Sequence, residues 1–401
     1  MQEILEKYQS EVTQELENIL EYWQKYTVDW EFGGFYGKIN DEDMVVAFSE
    51  KGSVLNARIL WTFSAAYNNN AKPEYLEIAQ RAYNYLKDFF KDEVNGGVYW
   101  SVDYLGNPFN TRKQIYGQAF VIYGLSEYYK ITKNQEVLDW AIELFDLIEK
   151  NSFDSIYGGY LEALTLDWKP IDDLKLSQKD ANEPKSMNTH LHILEAYSNL
   201  YGVWKNNLLK QKLKRLVAVF LKYIINPQTG NQHLFLDNNW AVKSTIISYG
   251  HDIEAAWLLY EATETLGDDV LIQKTHQVVL KMSEITLNGF TKDGGLTYEI
   301  EGNHHDTDKH WWVQAESMVG YFNAFQLSND EKYLYQSLNS WEFIKKHLIT
   351  KTGEWLWATQ GEKNLPMPNQ DKAGFWKCPY HNARACLEVM DRIKKRNIVE
   401  N

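Results

Sequence analysis

Gly96-Gly97-Val98-Tyr99-Trp100 decides the fold, because versions of this phrase return along the chain. Gly33-Gly34-Phe35-Tyr36, Gly158-Gly159-Tyr160-Leu161-Glu162 and Gly294-Gly295-Leu296-Thr297-Tyr298 each follow a glycine pair with aromatic or β-type residues. Thr229-Gly230-Asn231 and Thr352-Gly353-Glu354-Trp355 read as degenerate copies. The glycines supply tight turns with positive φ, and the run after each pair predicts a brief strand. A spacing of roughly 60 to 70 residues marks one supersecondary unit repeated six times around a single architecture.

Outward from these turns the period becomes helical. Segments 3–26, 73–91, 136–151, 208–225, 269–286 and 331–348 are charge-rich and amphipathic, as expected of helices with one wet face. Segments 54–67, 114–129, 187–204, 249–265, 311–326 and 379–394 are apolar on more sides and read as buried inner helices. Six wet helices alternating with six buried ones predict an all-α fold, an (α/α)6 barrel of six hairpins with short β-turn and strand insertions. No Pro/Gly/Ser-rich linker divides it, so residues 1–401 read as a single catalytic domain. An open helical solenoid has shorter repeats, about 33 to 47 residues, and no reason to gather reactive side chains at one end.

The chain of 401 residues is 44% hydrophobic and carries a formal net charge of -14. That charge argues against nucleic acid, which requires a basic surface. The two cysteines, Cys378 and Cys386, form no CxxC pattern, so neither a disulfide framework nor a zinc ribbon is expected. Residues 1–19 lack the apolar core of a signal peptide, and no apolar run of about 18 residues appears. A cytoplasmic location follows. The 15 Trp and 26 Tyr suit either a core or the apolar face of a pyranose ring.

Reactive residues stand at the start of every inner segment: Arg58; Tyr116 with Gln118; Asn188 with His192; His251 with Glu254; Trp311 or Trp312 with Glu316; and His381. If the inner helices run parallel, their N-terminal turns converge on one mouth, and helix N-termini favour developing negative charge. Within Ser248-Tyr249-Gly250-His251-Asp252-Ile253-Glu254, the histidine and glutamate share a helix face, which suits the imidazole to proton transfer. Such a pair also occurs as a plain surface contact, so the convergence carries the argument. In Asn188-Thr189-His190-Leu191-His192, residues 188 and 192 share a face while His190 lies round the helix, where a packed core role fits it better. HxH on a helix lacks the spacing of a zinc site, and no metal is expected. His304-His305 reads as an exposed loop. Asp180, in the long connection 166–185, reads as a lid residue or a solvated charge, and Cys378 as structural.

The chain resembles the N-acylglucosamine 2-epimerase superfamily, and within it most nearly the cellobiose 2-epimerase branch. The likeness is carried by Gly250-His251-Asp252-Ile253-Glu254-Ala255, Lys185-Ser186-Met187-Asn188-Thr189-His190-Leu191-His192, Trp311-Trp312-Val313-Gln314-Ala315-Glu316, Trp376-Lys377-Cys378-Pro379-Tyr380-His381-Asn382, and Lys51-Gly52-Ser53-Val54-Leu55 with Arg58. The pattern departs at Ala256 and Ala383, beside motif residues. The resemblance implies reversible C2 epimerisation of the reducing-end glucose of β-1,4-linked disaccharides through ring opening and a cis-enediol. It implies His251 and His381 as acid/base pair, with His192 as a third imidazole. Arg58, Asn188 and Glu254 would hold hydroxyls and tune the bases. Trp376 and one of Trp311 and Trp312 would stack on the sugars, with Tyr116, Asp180 and Glu316 as further substrate-binding candidates. No cofactor is implied. The expected partner is an oligosaccharide with a reducing-end glucose, with neither nucleic acid nor membrane, for a monomer or weak homodimer.

Chemistry agrees with that expectation. A C2–H beside a carbonyl is weakly acidic, so its removal needs a positioned base and a cation or hydrogen-bond donor at O1. Imidazoles on opposite sides of the carbon suit inversion; a single base with rotation of the enediolate suits it too. Three other readings stay open: an aldose–ketose isomerase or N-acylglucosamine 2-epimerase of the same superfamily, a glycoside hydrolase using Glu254 and Glu316, and a non-catalytic sugar-binding protein.

Overall fold

The computed structural model describes the backbone of residues 1–400 and the side chains of residues 1–396. Twelve α-helices among these residues alternate between two layers. The outer layer is α1 (Gln2–Tyr26), α3 (Pro73–Tyr85), α5 (Gln135–Asn151), α7 (Asn207–Val219), α9 (Asp269–Thr286) and α11 (Glu331–His347). The inner layer is α2 (Ser53–Asn69), α4 (Ile115–Thr132), α6 (Met187–Val203), α8 (Tyr249–Leu266), α10 (Trp311–Ser328) and α12 (Tyr380–Glu400). Each inner helix packs on the next, and α12 packs on α2, which closes the ring. This is the (α/α)6 barrel that the alternation of wet and buried segments predicts. No helix among the described residues is long and apolar enough to cross a membrane.

Local chemistry sets the hairpins. Lys133, Gly267 and Asn329 end α4, α8 and α10 in the left-handed region, at φ of 53°, 62° and 54°. Asn134, Asp268 and Asp330 follow directly and accept backbone N–H bonds as N-caps of the next outer helix. A left-handed cap joined to an N-cap reverses the chain within two residues. At the other end the glycine turns adopt the positive φ expected of them, except at Gly295, the second glycine of its pair, which lies outside that region. Gly97, at φ 76°, passes Trp168 so closely that a Cβ would lie 2.6 Å from the indole.

Among the described residues six short antiparallel sheets ring that end. The strand before each inner helix pairs with the strand after the following glycine turn: Lys51-Gly52 with Ser101-Val102, Lys113-Gln114 with Ala163-Leu164, and Lys185-Ser186 with Phe235-Leu236. Ile247-Ser248 and Lys309-His310 continue the pattern, and Ile39-Asn40 pairs with Asp371–Ala373, joining first hairpin to last. The sheets therefore hold the inner helix N-termini in a circle. His304-His305 differs from its expectation as a loop. It forms the outer strand of a hairpin on Glu299–Glu301, exposed because nothing pairs beyond it.

Candidate active site

Every inner helix starts in one frame. Residues 51, 113, 185, 309 and 377 are lysines standing two or three residues before the first residue of their helices, and Ile247 holds the sixth place. Lys51, Lys113 and Lys185 bury their ammonium groups 2.7 Å from Asp29, Asp92 and Asp154, and Lys377 lies 2.5 Å from Glu354. Five residues further on, a polar side chain pins the strand after the glycine turn. Gln118 accepts from Val98 N and donates to Val98 O, and Gln314 does the same with Leu296. Asp252 accepts from Gln232 N, and His190 Nε2 from Tyr160 N. His190 is thus the packed residue its place on the helix predicts, and Gln118 is structural as well. Positions three, four and seven share the remaining face, which points inward. Position seven reads Arg58, Phe120, His192, Glu254, Glu316 and Arg384 around the ring.

That face lines a cavity of 340 Å3 at the N-terminal mouth of the inner helices. His192, His251, His381, Glu254, Arg58, Tyr116, Asn188, Asp180, Trp311, Trp312 and Trp376 all reach it. Glu316 does not; it lies behind His381. The segment 174–181 forms the roof, where Asp180 accepts a hydrogen bond from Ser177 N at 2.8 Å. Trp312 packs against both His251 and His381, with ring centroids 4.7 and 5.7 Å away. Tyr298 stacks on His310 at 4.0 Å, a further cavity pair that the sequence reading left out.

The three imidazoles are held differently. His251 Nδ1 lies 2.8 Å from Ser248 Oγ. His192 Nδ1 meets Glu195 Oε2 at 2.9 Å, and His381 Nδ1 meets Glu316 Oε1 at 2.7 Å. Burial lowers the pKa of His251 to about 3, helped by repulsion from His192. Burial likewise lowers His381 to about 3 although Glu316 pulls the other way, and His192 is lowered against the pull of Glu195. All three are therefore neutral at pH 7, and a neutral imidazole is the form that accepts a proton.

The carboxylates divide by charge. Burial opposes ionisation of Glu316, but Arg384 and His381 hold its pKa down to about 2. Glu195 is lowered too, burial being outweighed by Arg384 and His192. Burial and the Glu316 charge push Glu254 well above the usual range despite Arg384, leaving a neutral acid on the cavity wall. Neighbours whose pKa values separate this way suit division into acid and base roles. Arg58 donates to Tyr116 Oη at 2.8 Å and lies over Phe120 at 4.2 Å. It has no carboxylate at ion-pair distance among the described residues, and its Nε is unbonded there. Asn188 Oδ1 is also buried without a donor. An uncompensated cation and an idle acceptor facing one cavity are suited to the oxygens and hydroxyls of a polyol.

Glu195, Tyr380 and Arg384 lie beneath this wall, and the sequence reading missed them. Arg384 carries the one signal available: it holds position seven, as Arg58, His192, Glu254 and Glu316 do. Glu254, Glu316 and His381 offer ligand atoms within 4.8 Å of one another, the spacing of a metal site. Arg384 Nη2 already donates to Glu254 Oε1 at 2.8 Å and to Glu316 Oε1 at 2.6 Å, so a metal ion would compete with the guanidinium for the same oxygens. Cys378 is buried with Sγ 3.5 Å from Arg58 Nη1.

Comparison with known proteins places this geometry among sugar-transforming barrels. Residues 34–385 match the family model described as N-acylglucosamine 2-epimerase (GlcNAc 2-epimerase). A cellobiose 2-epimerase of Bacteroides fragilis is 50% identical, the alignment covering 97% of this chain and 100% of that one. The solved cellobiose 2-epimerase of Bacillus thermoamylovorans B4167 superposes with a TM-score of 0.93 at 39% identity, over 96% of this chain and 100% of the other. A D-mannose isomerase structure gives 0.83 at 25% identity, over 95% and 97% of the two chains.

Proposed function

The chain belongs to the N-acylglucosamine 2-epimerase family, and on that premise we propose that it epimerises C2 of the reducing-end glucose of β-1,4-linked disaccharides, cellobiose and lactose among them. The observation that carries the mechanism is the pair of neutral imidazoles, His251 and His381, both packed against Trp312 in one cavity. In the proposed reaction the hemiacetal opens first, with the neutral carboxyl of Glu254 donating to the ring oxygen and a neutral imidazole taking the O1 proton. One imidazole then takes the C2 proton, leaving a cis-enediolate. The other, which took up the O1 proton as the ring opened, returns it to the opposite face of C2 and gives the mannose configuration. Ring closure then passes the C2-derived proton back to O1 and the O5 proton back to Glu254. Two bases fixed on different helices produce inversion without reorienting the intermediate. Arg58 is the cation at hand for the enediolate oxygen, and Asn188 Oδ1 the acceptor for a sugar hydroxyl. Trp376, Trp311 and Trp312 offer flat faces for the two rings, beneath a roof that carries Asp180. His192 is the third imidazole near the sugar. The same reading makes the chain a single catalytic domain acting in the cytoplasm.

Incubation with cellobiose in deuterated water, followed by NMR, tests this. The expected result is a disaccharide with mannose at its reducing end and deuterium at C2. Product without label at C2, or no product, overturns the mechanism. The D-mannose isomerase likeness favours one second reading, in which the same enediolate is reprotonated at C1. A ketose product from mannose, with cellobiose untouched, would establish it instead.

A further inference from the structure

His192 and His381 reach the cavity from different helices, yet both turn Nδ1 away from it onto buried carboxylates, and both carboxylates end on one guanidinium. Arg384 Nη1 donates to Glu195 Oε1 and to Tyr380 Oη, while Nη2 donates to Glu254 Oε1 and Glu316 Oε1 at 2.8 and 2.6 Å. Glu195 gives its other oxygen to His192 Nδ1. Glu316 Oε1 serves both Arg384 and His381 Nδ1, and its Oε2 accepts from Trp257 Nε1 at 3.0 Å. Arg384 is 1% exposed and does not line the cavity, so it acts on the sugar only through other residues. Its plane lies over Trp257 and Tyr380, 4.8 and 4.1 Å from their ring centres.

We propose that Arg384 is the positioning residue of this site: it keeps Glu195 and Glu316 ionised, which fixes His192 and His381 as Nδ1–H tautomers with a bare Nε2 facing the sugar. The charged groups around it fit that role. Carboxylates reach it from α6 (Glu195), α8 (Glu254) and α10 (Glu316), the buried Glu261 of α8 is a further acidic group within electrostatic reach, and Arg58 and Arg392 are further cations nearby. Three carboxylates so close and so dry cannot all ionise without the guanidinium. Remove it, and a carboxyl that keeps its proton donates that proton to Nδ1. The imidazole must then carry its own hydrogen on Nε2, where it can no longer accept one. A guanidinium suits the place because its planar fork reaches three carboxylates at once, whereas an ammonium is a single point.

What Nε2 does with its lone pair rests on the epimerase reading; how the tautomer is held does not. The experiment therefore separates the two. Histidine 15N NMR without substrate reads the tautomers between pH 5 and 8, and turnover of cellobiose is measured in parallel. In the wild-type protein both rings are expected as Nδ1–H throughout. In Arg384→Met, one or both should switch to Nε2–H. Where cellobiose is a substrate, kcat should fall about 100-fold with KM changed less than about threefold, and the acid limb of the kcat profile should move upward. Arg384→Lys should recover about tenfold of the lost kcat, because it restores charge without the fork. A residue that only supports the fold would lower the melting temperature and leave tautomers and pH profile unchanged. That outcome in folded Arg384→Met overturns the proposal. If neither variant folds, the wild-type spectra decide: Nε2–H on either ring, or ordinary titration near pH 6.5, overturns it. Correct tautomers with no turnover of any aldose overturn the functional reading alone.

Discussion

Two histidines two residues apart, His190 and His192, have opposite uses, and the reason is the direction each side chain leaves α6. His190 faces outward, takes Tyr160 N on Nε2 and sets Nδ1 2.6 Å from Ser186 O. Replacing it with alanine leaves Tyr160 N without its acceptor, so a loss of about 1–3 kcal/mol in unfolding free energy is expected. Denaturant titration measures this. His251 and His381 face the cavity. His251→Asn and His381→Asn should each abolish epimerisation while moving the melting temperature by only a few degrees. Appreciable product from either variant removes that residue from the acid/base pair. The sequence separated these classes because helical spacing alone tells an inward position from a flanking one.

At the scale of the hairpin, the buried lysine pairs recur with an informative gap. Lys113 is fully buried beside Asp92, and the fourth hairpin has Ile247 and Asn226 at the equivalent places, so both charges are absent together. Asn226 still accepts from Gln228 N and Thr229 N, as Asp92 accepts from Val94 N and Asn95 N. The turn therefore depends on the acceptor, and each charge is there to balance the other. Lys113→Met alone should cost about 3–5 kcal/mol, because it leaves a buried carboxylate unpaired. Lys113→Met with Asp92→Asn should recover most of that loss. A double variant no better than the single would show that the lysine supports the turn by some means other than charge. These lysines were open to view in the sequence, but no periodicity reveals that a solvated-looking Lys is buried.

For the whole molecule, two buried populations titrate against each other. Burial raises Glu15, Glu162, Asp252 and Glu299 to about 7, and lowers His190 to about 4 and His251, His310 and His381 to about 3. The folded acids hold extra protons from their unfolded pKa near 4 up to about 7, so their contribution is lost as pH rises through 7. The folded histidines refuse protons that the unfolded chain accepts below about 6.5, so stability falls as pH drops below that value. Between about pH 4.5 and 6.5 the two slopes oppose. The melting temperature should thus be nearly flat there, lower at pH 8 and lower again below pH 4. Glu162 accepts from Ser186 N and pairs with Thr189 Oγ1, an arrangement a glutamine reproduces. Glu162→Gln should therefore gain about 1–3 kcal/mol over wild type at pH 8 and little at pH 5. An equal difference at both pH values would mean that Glu162 is ionised throughout.

The sequence by itself determined the repeat, the alternation of outer and inner helices, and the cluster of reactive residues at one mouth. All of these are written in short-range spacing, as glycine turns and as side chains that share one face of the first two turns of a helix. Tertiary structure alone decided three things. It joined the strands at 39–40 and 371–373 to close the ring. It drew the segment 174–181 over the mouth as a roof. It moved Glu316 behind His381 and gathered Glu195, Glu254 and Glu316 onto Arg384. These contacts span the barrel between residues far apart in the chain, where no local period can register them. Their strength comes from desolvation, which exists only once the helices have packed.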